Sequence, residues 1–226
     1  MKRVITVLLA VLLALSLAAC GSGVETKKLA GTWTCTVDVT DRMNAAAEQA
    51  LGLSAADGTA QMPLQLVLTV TEDGAYTLRY DSDAARTALD AYAAALHPAA
   101  VESVYAAAEE QGLSREEYDA AMEKAGITMD DMVAAIFAGV DEEELLSLLT
   151  GRSAAITGYC RAEGGQLYLA DTAADLTETA DCLSYTLSDG TMTWPDAQGE
   201  LSSQLTEQEQ ELLCVPLTWT KQEESK

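Results

Sequence analysis

Apolar and polar positions divide this chain into two kinds of segment. Over residues 29–39 they alternate, with Trp33, Cys35, Val37 and Val39 on one side and Thr34, Thr36 and Asp38 on the other. A period of two is that of a strand with one face buried and one wet. Residues 63–71 alternate again through Leu64, Leu66, Leu68 and Val70. Glu72-Asp73-Gly74 interrupts the run, and Tyr76, Leu78 and Tyr80 then continue the apolar side, opposite Thr77 and Arg79. Two such runs around a short Gly turn predict a hairpin. The signature returns after residue 150. Strands are expected at 154–161 and 166–170 around Glu163-Gly164-Gly165, and at 182–187 and 191–194 around Ser188-Asp189-Gly190. The series closes at 213–221, with Val215, Leu217 and Trp219 aligned, where Pro216 suits an edge or a bulge. Eight antiparallel strands with alternating faces can close into a barrel and hide their edges, or pack as two sheets; periodicity alone does not separate the two.

Residues 82–151 carry no such alternation and are rich in Ala, the strongest helix former. A helix over 84–96 aligns Leu89, Tyr92 and Leu96 and is expected to stop at His97-Pro98, because a residue before proline avoids helical dihedrals. Pro98 then opens a second helix with Val101, Val104, Tyr105 and Ala108 as its stripe. A short unit follows three times: Gly112-Leu113-Ser114 with Glu117, Gly126-Ile127-Thr128 with Asp131, and Gly139-Val140-Asp141 with Glu144. In each, Gly ends one helix, the third residue caps the next, and the acid completes a capping box. Leu113 with Tyr118, Ile127 with Met132 and Val140 with Leu145 are expected to staple the three entries. A further helix is expected over 41–51, capped by Asp41, with Met43, Ala47 and Ala50 on its apolar side.

The N-terminus reads differently. Lys2 and Arg3 precede an uncharged apolar run, Ile5 to Leu17, which is too short for a comfortable membrane span. The run ends in Leu17-Ala18-Ala19-Cys20, followed by Gly21-Ser22-Gly23, and this ending resembles a bacterial lipobox. The resemblance implies cleavage before Cys20 and lipidation of its thiol, palmitate being among the acyl chains expected there. It also implies an extracytoplasmic protein held to the cell membrane by that anchor. The expected organisation is therefore a signal peptide at 1–19, a lipidated tether at 20–28, a β domain at 29–81 and 152–221, a helical insertion at 82–151 and a polar tail at 222–226. At about 3.5 Å per residue, the stretch 21–28 reaches about 28 Å at most.

A second resemblance lies in the strands. Gly31-Thr32-Trp33 resembles the Gly-x-Trp of lipocalin-like barrels. The pieces EDGAYTL, GYCRAEGGQLYL, YTLSDGTMTW and LTWTK are similar to small lipocalin-like, or calycin-like, domains of bacterial lipoproteins. The resemblance implies an α+β fold: an antiparallel eight-stranded lipocalin-like β-barrel with an α-helical insertion between strands 3 and 4. No helix follows the last strand and the insertion is large, both unlike true lipocalins. In such a barrel Trp33, Tyr76, Tyr80, Tyr185, Trp194 and Trp219 point inward, either filling the interior or lining a site for one small ligand.

Charge narrows the partners. The 226 residues hold 13 Lys and Arg against 36 Asp and Glu, a formal charge of −23, which argues against nucleic-acid phosphates as a ligand. Removal of residues 1–19 takes away two bases and no acid. The insertion alone carries 15 acids and 3 bases. Helix dipoles favour acids in first turns, so the charge has a structural reading beside a functional one. Two functions are expected: non-enzymatic binding of a small apolar ligand or a peptide, or a solid-core surface module whose acidic helical lobe meets a basic protein or envelope component. No catalytic residue, cofactor or metal ligand is assigned. The single histidine, His97, stands before Pro98; G-x-S-x-G and C-x2-C are missing; and the oxygen-rich stretch 171–178 lacks the spacing of a calcium loop. Cys35, Cys160, Cys182 and Cys214 all fall in strands. They are disulfide candidates in an exported chain, with three pairings open, or else reduced core residues.

Overall fold

The alternating runs form strands because each can bury one face. A computed structural model describes residues 25–53, 60–138, 155–178, 180–195 and 216–223. The signal segment with Cys20, the third capping unit at 139–144 and Cys214 lie outside the described residues. Nine strands make one sheet: β1 Gly31–Asp38, β2 Pro63–Val70, β3 Ala75–Tyr80, β4 Ile156–Glu163, β5 Gln166–Ala170, β6 Asp181–Ser184, β7 Thr186–Ser188, β8 Thr191–Trp194 and β9 Leu217–Lys221. Their order is β6-β5-β4-β3-β2-β1-β9-β8-β7, a nearly closed antiparallel barrel.

The strand count differs from the expected eight because the run over 182–187 is divided at Tyr185. Its first part pairs with β5 (Leu167 opposite Leu183) and its second with β8 (Leu187 opposite Met192). The two ends of the sheet are therefore consecutive pieces of one chain. At the bend the Tyr185 N–H leaves the ladder and donates to the Gly165 carbonyl at 2.9 Å. The first and last strands are neighbours, with Trp33 opposite Lys221 and Thr34 opposite Thr220. Two connections are two-residue turns with both residues left-handed: Gly164 and Gly165 at φ 60° and 78°, and Asp189 and Gly190 at φ 45° and 76°. That conformation matches the twist of the flanking strands and favours Gly and Asp there.

Residues 25–29 are helical, although 25–28 are expected as tether and Leu29 as the start of a strand. Leu29 is buried, the Thr26 hydroxyl accepts the Ala162 N–H at 3.0 Å, and the Glu25 carboxylate accepts the Gly164 N–H at 2.8 Å. Thr26 and Leu29 are three residues apart, so one helical turn puts both on the same side.

The chain divides into two compact units. The barrel unit takes the described residues up to Thr36, Leu66–Tyr80 and those from 155 onward; the helical unit takes Val37–Gln65 and the described residues from Asp81 to Ala138. The helical unit is thus built from two excursions of the chain, after β1 and after β3, where a single insertion is expected. Its helices are α1 Thr40–Leu51, α2 Ser82–Glu110, α3 Arg115–Ala125 and α4 Met129–Phe137. Helix α1 buries Met43 and Ala47, but Asp41 does not cap it: the N-cap is Val39, without a side-chain bond. The Asp38 carboxylate instead accepts the Thr40 hydroxyl and N–H, which holds it below its usual range.

Helix α2 does not stop at Pro98. It runs on because its buried face, Tyr92, Leu96, Ala100, Val104 and Ala108, repeats every four residues through the proline, and Pro98 itself is exposed. A proline inside a helix costs about 3 kcal/mol; packing along both halves of that face offsets it. Both described capping boxes form. Ser114 and Glu117 exchange side-chain-to-backbone bonds at the start of α3, as do Thr128 and Asp131 at the start of α4. Gly126, left-handed at φ 72°, closes α3. Leu113 and Ile127 remain exposed despite their expected staples. Helix α3 buries none of its residues, and its link to α2 is polar and aromatic, with Tyr118 meeting the Tyr105 ring edge-on at 6.2 Å. Arg115 bonds Glu102 at 2.7 Å and Glu109 at 3.3 Å and lies over the Tyr105 ring, whose hydroxyl donates to Asp119 at 2.9 Å.

Candidate functional site: the barrel interior and its rim

Alternation and register place the six expected aromatics. Trp33 is buried on β1, and its indole N–H donates to the Leu29 carbonyl at 2.7 Å, so the leading helical turn is tied to the first strand. Tyr76 and Tyr80 are half-buried, opposite Val70 and Leu66 of β2. The Tyr76 ring covers Gly158: a Cβ on that glycine would meet the ring at 2.9 Å and the Ala170 carbonyl oxygen at 2.6 Å. Tyr185 sits at the bend between β6 and β7, where burial, with the Glu25 carboxylate nearby, raises its phenol above the usual value. Trp194 stands opposite Leu217, and Trp219 opposite Met192. Their rings lie 4.9 Å apart, tilted by 52°.

These two tryptophans hold the chemistry of the interior. Trp219 is 0% exposed and Trp194 5%, and neither indole N–H has an acceptor among the described residues. A buried donor without a partner costs about 1–3 kcal/mol, and such groups in a native fold call for an explanation. A molecule presenting a carbonyl or carboxylate oxygen would supply the missing bond. The barrel wall also contains one cation that the sequence reading missed. Lys221 follows Trp219 by two positions and so shares its face; its ammonium lies 5.3 Å from the centre of the Trp33 ring. The alternation of Leu217 and Trp219 already pointed to it. Lys221 borders an open groove of about 1000 Å³ where β1, β2, β8 and β9 end, lined also by Lys27, Thr71, Asp189 and Gln222.

Cys35, Cys160 and Cys182 are free thiols. Burial raises the Cys35 thiol and pushes Cys160 up to about 12. Cys160 stands opposite Leu169 and Cys182 opposite Tyr168, so they are two strands apart on opposite faces. Strands so placed are about 9–10 Å apart, beyond the reach of a disulfide. The stretch 171–178 holds a short 3-10 turn, Ala173–Asp175, in which the Thr172 hydroxyl donates to the Asp175 carboxylate. No helix among the described residues is long and apolar enough to cross a membrane. Comparison with known proteins yields no matching family model, no matching curated protein and no matching solved structure.

Proposed function

We propose that this chain is a lipid-anchored, extracytoplasmic binding protein whose lipocalin-like barrel takes a small apolar molecule carrying a hydrogen-bond acceptor. The observation that carries the reading is the pair of buried indole N–H groups of Trp194 and Trp219, without an acceptor among the described residues, in the wall of a nearly closed barrel. The anchor reading rests on the sequence around Cys20. The helical turn at 25–29 means that the expected tether does not extend past residue 24.

Native mass spectrometry of the detergent-extracted protein tests the ligand. The expected result is a co-purified small molecule whose removal shifts tryptophan emission, and whose retention falls in Trp219→Phe and Trp194→Phe, which keep a ring but remove the donor. A protein with no added mass and no emission response to decanoate overturns the reading. The anchor is tested separately by radiolabelled palmitate: Cys20→Ser should lose the label and leave the membrane fraction.

A second reading is favoured by α3. It has no buried residue, is flanked by the exposed Leu113 and Ile127, and carries Glu116, Glu117, Asp119 and Glu123. There the barrel is a solid support, and the acidic helix meets a basic protein. Salt-sensitive binding of a Lys-rich peptide, lost on charge reversal of α3, would support it; binding untouched by that reversal would refute it.

A further inference from the structure

The helical unit contains a pocket that the barrel reading does not use. It measures about 220 Å³ and is walled by α1, α2 and the end of α4. Met43, Leu89, Tyr92, Leu96 and Phe137 give it an apolar surface, and Ala46, Ala50 and Ala93 leave it room. The Tyr92 hydroxyl is already spent on the Asn44 side-chain oxygen at 2.7 Å, so it offers water no free donor. A pocket this apolar holds water poorly, and cavities of similar size accept a single ring.

One group in the wall has another chemistry. Asp90 is the charged residue lining the pocket; it is exposed, and it has no hydrogen bond or ion pair among the described residues. We propose that this pocket binds a small single-ring amine, with the ring against Met43, Leu96 and Phe137 and the ammonium at Asp90. A neutral ring would satisfy the wall but leave the carboxylate unmatched; a carboxylated ring would be repelled by it.

Phe137 is the chain's only phenylalanine, so incorporation of fluorophenylalanine places a single fluorine resonance in the pocket wall. The whole protein is titrated with phenethylamine and with 2-phenylethanol, a neutral analogue of the same size. The amine should give a saturable shift with a dissociation constant of about 1 mM, as expected for so few atoms. The alcohol should bind roughly two- to fivefold more weakly, the size of an exposed ion pair. Asp90→Asn, at an exposed position, should erase that difference while retaining ring binding. Ala46→Leu should fill the space and abolish both shifts with helix content unchanged. No shift with either compound, equal binding of amine and alcohol to the unaltered protein, or a fluorine shift that depends on protein concentration alone (a second copy covering the pocket) would each overturn the proposal.

Discussion

Gly158 offers the sharpest test of how the barrel wall is packed. Its backbone is not in the left-handed region, so alanine is conformationally allowed. Replacing such a glycine ordinarily stabilises a protein by about 0.4–1 kcal/mol, because the unfolded chain loses freedom. Here the new methyl would lie 2.6 Å from the Ala170 carbonyl oxygen and 2.9 Å from the Tyr76 ring, where ordinary contact begins near 3.4 Å. One of these neighbours is backbone held in the β4–β5 ladder, so both strands must give by several tenths of an ångström. Overpacking of that kind costs about 1–3 kcal/mol, and Gly158→Ala should therefore destabilise the barrel by about 1–2 kcal/mol net. All three tryptophans lie on β1, β8 and β9, so urea unfolding followed by tryptophan emission reports on the barrel unit alone. Tyr76→Leu completes a double-mutant cycle, whose coupling term isolates the ring contact from the carbonyl contact. If Gly158→Ala matches or exceeds the parent in stability, the close approach of β3, β4 and β5 is wrong.

Three more outcomes follow from the described contacts. Donation from Ser114 to Glu117, and from Thr128 to Asp131, holds both carboxyls below their usual range. The stability they lend is thus present above the unfolded carboxylate values near 4 and is lost as pH falls through the lower folded ones. The Ser114 and Thr128 amide resonances should stay constant from neutral pH to about 5 and move at lower pH, and Glu117→Gln should remove the Ser114 titration; an amide that titrates near neutrality would contradict this. Ser114→Ala should cost α3 about 1 kcal/mol, seen as faster amide exchange over residues 115–118. Among Cys35, Cys160 and Cys182, iodoacetamide at pH 8 should modify the half-buried Cys182 first, because burial raises the other two thiols; mapping of the label to Cys160 at an equal rate would mean an open wall.

The strands were legible because alternation of Leu64, Leu66, Leu68 and Val70 is a period that helices do not produce, and the Gly turns at 164–165 and 189–190 punctuate it. The capping boxes at Ser114 and Thr128 were legible because they are local chemistry over four residues. What failed was any local rule overruled by packing. Pro98 should end a helix, yet the four-residue spacing of Tyr92, Leu96, Ala100, Val104 and Ala108 carries α2 through it. The division at Tyr185 leaves no mark in the pattern, since Leu183, Tyr185 and Leu187 keep alternating while their pairing partners change. Placing α1 with the other helices needed contacts such as Tyr92 with Asn44, 48 positions apart in the chain. In the interior, the aromatic rings could be named from sequence, but an unmet indole donor is a property of the neighbourhood, and no pattern of residues announces it.

The bend at Tyr185 makes the ring of strands continuous by covalent linkage rather than by a ladder between β6 and β7. Because no ladder joins β6 to β7, the outer edges of these two strands, four and three residues long, have no neighbour in the sheet. Edges this short offer little template for pairing with another chain. Tyr185, 8% exposed and bonded through its N–H to Gly165, fixes the point where one edge ends and the other begins, so neither grows long enough to recruit a strand from a neighbouring molecule.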